Sequence, residues 1–212
     1  IYLKSIFFSI NLIFSQTSSA EFDPFQAGEN LEYRVHYGIF NASYASLTLS
    51  NEKVNGEDVL LASGYGKTIG LARLFFKVED YYSSYFESKK IQPKLFKRNI
   101  YEGGYTKNLE VSFNSEKKEA TVKNIKKGTT DIISTKDNVQ DLISSLYYLR
   151  KNFSEDDIDE GDFFNINMFY DSKNSELALK YLGKEVIRTK YGRIECLKLM
   201  PATNRSRIFK GE

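Results

Sequence analysis

Any chemistry in this sequence would have to come from carboxylates, because the other catalytic side chains are scarce. His36 is the single histidine and Cys196 the single cysteine in 212 residues. A Ser–His or Cys–His couple would need His36 as its base, and His36 lies on the polar side of an alternating run from Leu31 to Tyr37. No G-x-S-x-G elbow occurs. Cys196 sits between Ile194 and Lys198, the setting of a small buried apolar side chain on a strand. That leaves Asp80, Glu102 and Asp141 for acid–base work, each beside aromatic or apolar neighbours rather than in a charge run. Each also has a structural role to fill. Asp141 suits the first turn of a helix, where an acid complements the dipole. Glu102 flanks the Gly103-Gly104 turn, and Asp80 can pair with a Lys or Arg. Structure is the expected role and catalysis the alternative, so the reading leans away from an enzyme.

Metal sites fare no better. One His and one Cys are too few for structural zinc. The acidic stretch Glu155, Asp156, Asp157, Asp159 and Glu160 lacks the spaced order of a calcium loop. It reads as an exposed turn, and no metal or cofactor is expected. The aromatic side chains offer more. Tyr81, Tyr82, Tyr85, Tyr101 and Tyr105, with Phe86, crowd two strand-like runs, and Tyr147 projects from a helical segment. Rings at that density could line a pocket for a lipid, a sugar or another hydrophobic ligand, or they could be cross-strand packing.

The elements that must carry these residues are mostly strands. Leu31, Tyr33, Val35 and Tyr37 alternate with polar residues, as do Ala45, Leu47 and Leu49. Asn55-Gly56 is a hairpin turn leading to a third run, Val59 to Tyr65. Ile69 to Phe76 suits a short helix or a strand entry, and Val78 to Phe86 is a strand. Pro93 is expected to break the chain before Leu95 to Tyr101, and Gly103-Gly104 turns it into Leu109, Val111 and Phe113. Two shorter strands follow, around Gly128. The segment Val139, Leu142, Ile143, Leu146, Tyr147 has the spacing of one helix face, with Asp137 or Asn138 as cap and Arg150 and Lys151 at the end. Strands then resume as Phe163–Tyr170, Leu177–Leu182, Val186–Thr189 and Ile194–Leu199, divided by turn signals at Asp171–Asn174, Gly183 and Gly192. The expected fold is all-β or mostly β: an antiparallel roll, sandwich or open barrel with one packed helix near 138–151. That helix could close one end of the roll or plug it.

Lys4, the apolar run Ile6 to Phe14 and the small residues Ser18 and Ala20 are the parts of a secretory signal peptide. Residues 1–20 are therefore set aside as the signal, with cleavage after Ala20 or after Ser15, and 21–212 as a single β-rich domain. The apolar run is too short to span a bilayer as a helix, so the mature chain is expected to lack a transmembrane segment and to be periplasmic or extracellular. A lone cysteine allows no intrachain disulfide. Lys and Arg number 30 against 28 Asp and Glu, interspersed along the chain, which argues against a nucleic-acid partner.

Several stretches together resemble the bacterial family called domain of unknown function 3108. They include Phe25-x-x-Gly28-Glu29-x-Leu31-x-Tyr33 with Tyr37-Gly38, and Pro93-x-x-Phe96 leading to Tyr101-Glu102-Gly103-Gly104-Tyr105. The most specific is Gln140-Asp141-Leu142-x-Ser144-x-x-Tyr147-Tyr148-x-Arg150. Tyr181-Leu182-Gly183-x-Glu185 and Gly192-x-Ile194-x-Cys196, followed by Pro201, match the closing half. The resemblance implies an exported β-rich protein and a C-terminal continuation beyond Glu212. It transfers no catalytic residue. The leading expectation is a non-catalytic envelope protein binding a hydrophobic or amphipathic ligand, such as a lipid. The alternatives are an envelope interaction or assembly factor, and a carboxylate-based hydrolase or transferase.

Overall fold

The computed structural model describes residues 23–37, 40–189 and 191–202. The expected signal peptide lies outside the described residues, and so does the side chain of His36. Eight strands form an antiparallel meander in chain order: β1 (Asn30–Tyr37), β2 (Phe40–Val54), β3 (Glu57–Thr68), β4 (Val78–Glu87), β5 (Gln92–Glu102), β6 (Tyr105–Asn114), β7 (Glu119–Asn124) and β8 (Thr129–Ser134). A second antiparallel sheet has β10 (Lys173–Thr189) between β9 (Phe163–Tyr170) and β11 (Gly192–Pro201). Helix α1 (Gly70–Phe75) joins β3 to β4, and α2 (Ser144–Asn152) joins β8 to β9. The mostly β, antiparallel architecture with one packed helix is the one expected, and the ambiguous segment Ile69 to Phe76 resolves as α1. Among the described residues no helix is long and apolar enough to cross a membrane.

Strand alternation sorts the large sheet into two faces. One face carries Leu47, Leu49, Leu60, Ala62, Phe86 and Phe96, all buried. It is covered by α2, by the segment before α2, and by β9. Tyr147 of α2 is fully buried against Phe25 and Phe86, with ring centroids 4.9 and 5.2 Å away. Phe169 of β9 packs with Phe96, Leu109, Val111 and Val122 and meets Phe113 edge-on at 5.8 Å. Burying a ring such as Phe86 contributes about 2–3 kcal/mol, so this layer is the main source of stability. A bidentate ion pair closes one side. The Arg150 guanidinium donates to both Glu29 oxygens, at 2.7 and 2.6 Å, and to the Pro24 carbonyl at 2.8 Å.

Three local expectations are corrected. The helix starts at Ser144 rather than near Val139, because β9 takes the backbone of Gln140. Gln140 N–H donates to the Asn167 carbonyl and Phe169 N–H to the Gln140 carbonyl, both at 2.8 Å, which holds this residue extended. Pro93 does not break the chain. It is the second residue of β5, beside a bulge at Lys94 where the register skips from Tyr85↔Leu95 to Phe86↔Pro93. Gly183 does not separate two strands either. With φ +80 it sits in a bulge where Tyr181↔Leu199 jumps to Lys184↔Leu197, inside the continuous β10. A Cβ there would stand 2.9 Å from a Glu160 carboxylate oxygen, so Gly183 answers a close approach.

Candidate functional site

The row of β4 side chains on the covered face runs Phe86, Ser84, Tyr82, Asp80, and two polar clusters hang on it. The first is centred on Asp141, which is fully buried. One carboxylate oxygen accepts from Ser84 Oγ at 2.7 Å, and the other from the N–H groups of Ile143 and Ser144, each at 2.8 Å. Asp141 N–H in turn donates to Ser144 Oγ at 2.9 Å. This is a reciprocal cap on the turn that enters α2, and it latches α2 to β4. Burial pushes the Asp141 carboxyl up to about 6, with the hydrogen bonds from Ser144, Ser84 and Ile143 pulling the other way.

The second cluster lies about four residues along β4, roughly 13 Å away at the usual rise of a strand. Asp80 is buried, and one of its oxygens accepts from Tyr101 N–H at 3.1 Å. Burial lifts Asp80 to about 6. The Tyr101 bond opposes that rise, and the neighbouring Glu102 carboxyl adds to it. Arg98, directly opposite Tyr82 in the β4–β5 register, is buried with its guanidinium between the Tyr82 and Tyr170 rings, 6.0 and 4.7 Å from their centroids. Its Nη1 donates to Asp171 Oδ1 at 2.6 Å, and Lys107 Nζ reaches the same oxygen at 2.6 Å. Arg98 Nε is buried with no hydrogen-bond partner. Desolvation raises the Tyr82 phenol and pushes Tyr170 up to about 12. Gly66 faces Asp80 across β3–β4, and nothing lies within 4 Å of where its Cβ would be. The cluster therefore borders open space.

Two of the three predicted carboxylates, Asp80 and Glu102, thus come together, and Asp141 belongs to a separate, sealed site. Asp80 and Glu102 are diagonal neighbours across β4–β5, where Asp80 pairs with Ile100 and Glu102 with Val78, without an imidazole or thiol among their described contacts. The predicted tyrosines divide between faces. Tyr82 and Tyr147 lie on the covered face, while Tyr105 shares the face of its partner Glu102 and is exposed. Tyr81, Tyr85 and Tyr101 point to the opposite face, where Tyr81 stacks on Tyr65 at 4.8 Å and Lys77 sits 4.9 Å above Tyr101. Arg98, Lys107, Tyr170 and Asp171 were not anticipated. A signal for Arg98 existed, because Phe96-x-Arg98-x-Ile100 places a guanidinium in an otherwise apolar row. Asp171 reaches the site only through the β9–β10 turn, at φ +49, which local pattern does not reveal. A surface cleft of about 480 Å³, lined by Asn152, Ser154, Asp157, Ile158, Asp162, Phe163 and Phe164, contains none of the predicted site residues.

A large antiparallel sheet folded over a latched helix, with a cation–carboxylate–tyrosine cluster at one end, defines a β-rich protein. The chain belongs to the family described as protein of unknown function DUF3108, which matches residues 32–212. No curated protein matches the sequence. Among solved structures it is similar to a DUF1089 family protein from Pseudomonas aeruginosa, at 9% identity over 79% of this chain and 86% of that chain, with a TM-score of 0.43.

Proposed function

We propose that this is an exported, non-catalytic binding protein for an amphipathic ligand, held at the α1 end of the large sheet. The carrying observation is the buried Arg98 with its unpartnered Nε, set beside Lys107 and the open space over Gly66. A polar or anionic head group would meet Arg98 and Lys107, and its acidic or hydroxyl hydrogens would find Asp80 and Glu102. The apolar part would lie outward along Tyr105 and Phe76, which are 56% and 54% exposed. Export rests on the leading segment Lys4 to Ala20. The test is native mass spectrometry of the mature protein purified from its own envelope, with extracted lipids run alongside. A reproducible added mass that disappears in Lys107→Gln supports the reading. A bare mass in both proteins, with no uptake from the lipid extract, overturns it.

A second reading, assembly with an envelope protein, is favoured by β11 and the outer half of β10. Val186, Ile187, Ile194 and Leu197 are all more than two-fifths exposed there, and β11 is an edge of its sheet among the described strands. An exposed edge can add a partner's strand. A photo-crosslinker at Ile194 that gives one discrete adduct in envelope preparations would select this reading, and a clean lane would remove it.

A further inference from the structure

We propose that α1 is the point at which this protein docks on a lipid bilayer carrying anionic head groups. Leu71, Leu74, Phe75 and Phe76 are 58, 80, 88 and 54% exposed, and α1 buries none of its residues. The knuckle they form is nevertheless firmly seated. Thr68 Oγ1 donates to the Phe76 carbonyl at 3.0 Å and accepts from Val78 N–H at 2.9 Å. Ile69 N–H donates to the Ala42 carbonyl, Gly103 N–H to the Lys77 carbonyl, and the Phe76 ring lies directly against Gly103. Folding therefore holds four large apolar side chains in water, an arrangement that signals an interaction surface.

Shape and charge both choose a bilayer as the occupant. The patch is a projecting knob on a six-residue helix, which hydrocarbon can receive without a complementary pocket. Behind the tip stands a collar of cations and phenol rings on the outward face of the sheet. Lys77 lies over Tyr101, Lys67 lies 5.4 Å from the Tyr65 ring, and Arg73 bonds Glu79 at 3.2 Å beside Tyr81. Tyrosines and snorkelling basic side chains behind an apolar tip are what the interfacial zone of a membrane favours. The neighbouring β7–β8 turn adds Lys126, Lys127 and the 52%-exposed Ile125. At this end Lys67, Arg73, Lys77, Lys107, Lys126 and Lys127 outnumber Glu79, Asp80, Glu102 and Asp171, which complements an anionic leaflet. The inference needs only α1 and its collar, and it stands whether or not a ligand binds beside Arg98.

Residues 1–212 contain no tryptophan, so Phe75→Trp in this 212-residue chain is a sole reporter at the tip. It is titrated with vesicles of phosphatidylcholine containing phosphatidylglycerol, beside Ile132→Trp on β8, where the native side chain is 68% exposed. The expected result is a blue shift for Phe75→Trp, quenched by lipids brominated in the acyl chain, and none for Ile132→Trp. Adding Leu74→Ser should weaken vesicle binding by about tenfold or more, from the lost apolar transfer. Omitting phosphatidylglycerol or raising salt should weaken it as well. An absent shift overturns the proposal, as does an equal shift at both positions. A concentration-dependent shift without vesicles also overturns it, and would assign α1 to a second copy of this chain.

Discussion

Replacing Asp141 with asparagine should make the protein more stable at neutral pH, although it removes a charge at the centre of a hydrogen-bond network. The carboxyl is raised from 3.8 to about 6 by complete burial, so the native state holds its proton more tightly than the unfolded chain does. Stability from this group is fully present below pH 3.8 and is lost as pH rises through about 6. By neutrality the loss is about 3 kcal/mol. Asparagine has nearly the same shape. Its oxygen can still accept from the Ile143 and Ser144 N–H groups, and its amide can donate to Ser84 Oγ. The second amide hydrogen has no evident acceptor, a penalty of about 1–2 kcal/mol. The expected net gain for Asp141→Asn is therefore about 1–2 kcal/mol near pH 7.5, shrinking to zero or below near pH 4. Urea unfolding followed by circular dichroism at both pH values measures it. Asp141→Ala, which leaves Ser84 and two N–H groups unpartnered, should instead lose about 2–4 kcal/mol near pH 4, where the native carboxyl is protonated. If Asp141→Asn is less stable by more than about 1 kcal/mol near neutrality, with an unchanged pH slope, the charge itself is needed and the reasoning fails.

Substitutions at two further positions probe the layer over the sheet and the seat of α1. The Tyr147 hydroxyl is buried without a hydrogen-bond partner, so Tyr147→Phe should shift the urea-unfolding free energy by less than about 1 kcal/mol, whereas Tyr147→Ala should lose about 3–5 kcal/mol. Gly103 has φ +56, and a Cβ there would overlap the Phe76 ring. Gly103→Ala should lose about 1–2 kcal/mol and speed proteolytic cleavage within residues 69–76. Cleavage at the parental rate would mean that Phe76 is not what seats α1.

The sheet was legible in the sequence because its strands alternate and its turns carry the residues that tight turns require. Leu47 and Leu49 face the core while Ser46 and Thr48 do not, and Asn55-Gly56 joins β2 to β3 as expected. The limits of α2 were not legible, since Val139 and Leu142 have helical spacing. What holds Gln140 extended is the β9 backbone, which lies more than twenty residues downstream. Gly183 gave a correct signal for positive φ, but that conformation serves a bulge as well as a turn, and only the partner strand decides between them. The division of the tyrosines could have been read locally. Tyr81 and Tyr82 are adjacent on one strand, so they must point to opposite faces. The Arg98 cluster was half legible, because its Asp171 arm depends on where β9 crosses β5 and β6.

The β4 row also limits how any ligand could sit. Phe86 is closed off by Tyr147, and Ser84 is tied to Asp141 at 2.7 Å. Only Tyr82 and Asp80 lie toward the open space near Gly66. A long chain could enter past Tyr82 only by breaking the Ser84–Asp141 bond and displacing α2, which also holds Glu29 through Arg150. A ligand that leaves this latch intact must therefore place its head group inward at Arg98 and Lys107 and its apolar portion outward. Outward from the Arg98 cluster lies the β5–β6 turn that Phe76 of the α1 knuckle packs against. The proposed ligand orientation and the proposed membrane contact then agree, because a tail leaving the Arg98 cluster would emerge on the side where α1 is proposed to meet the bilayer.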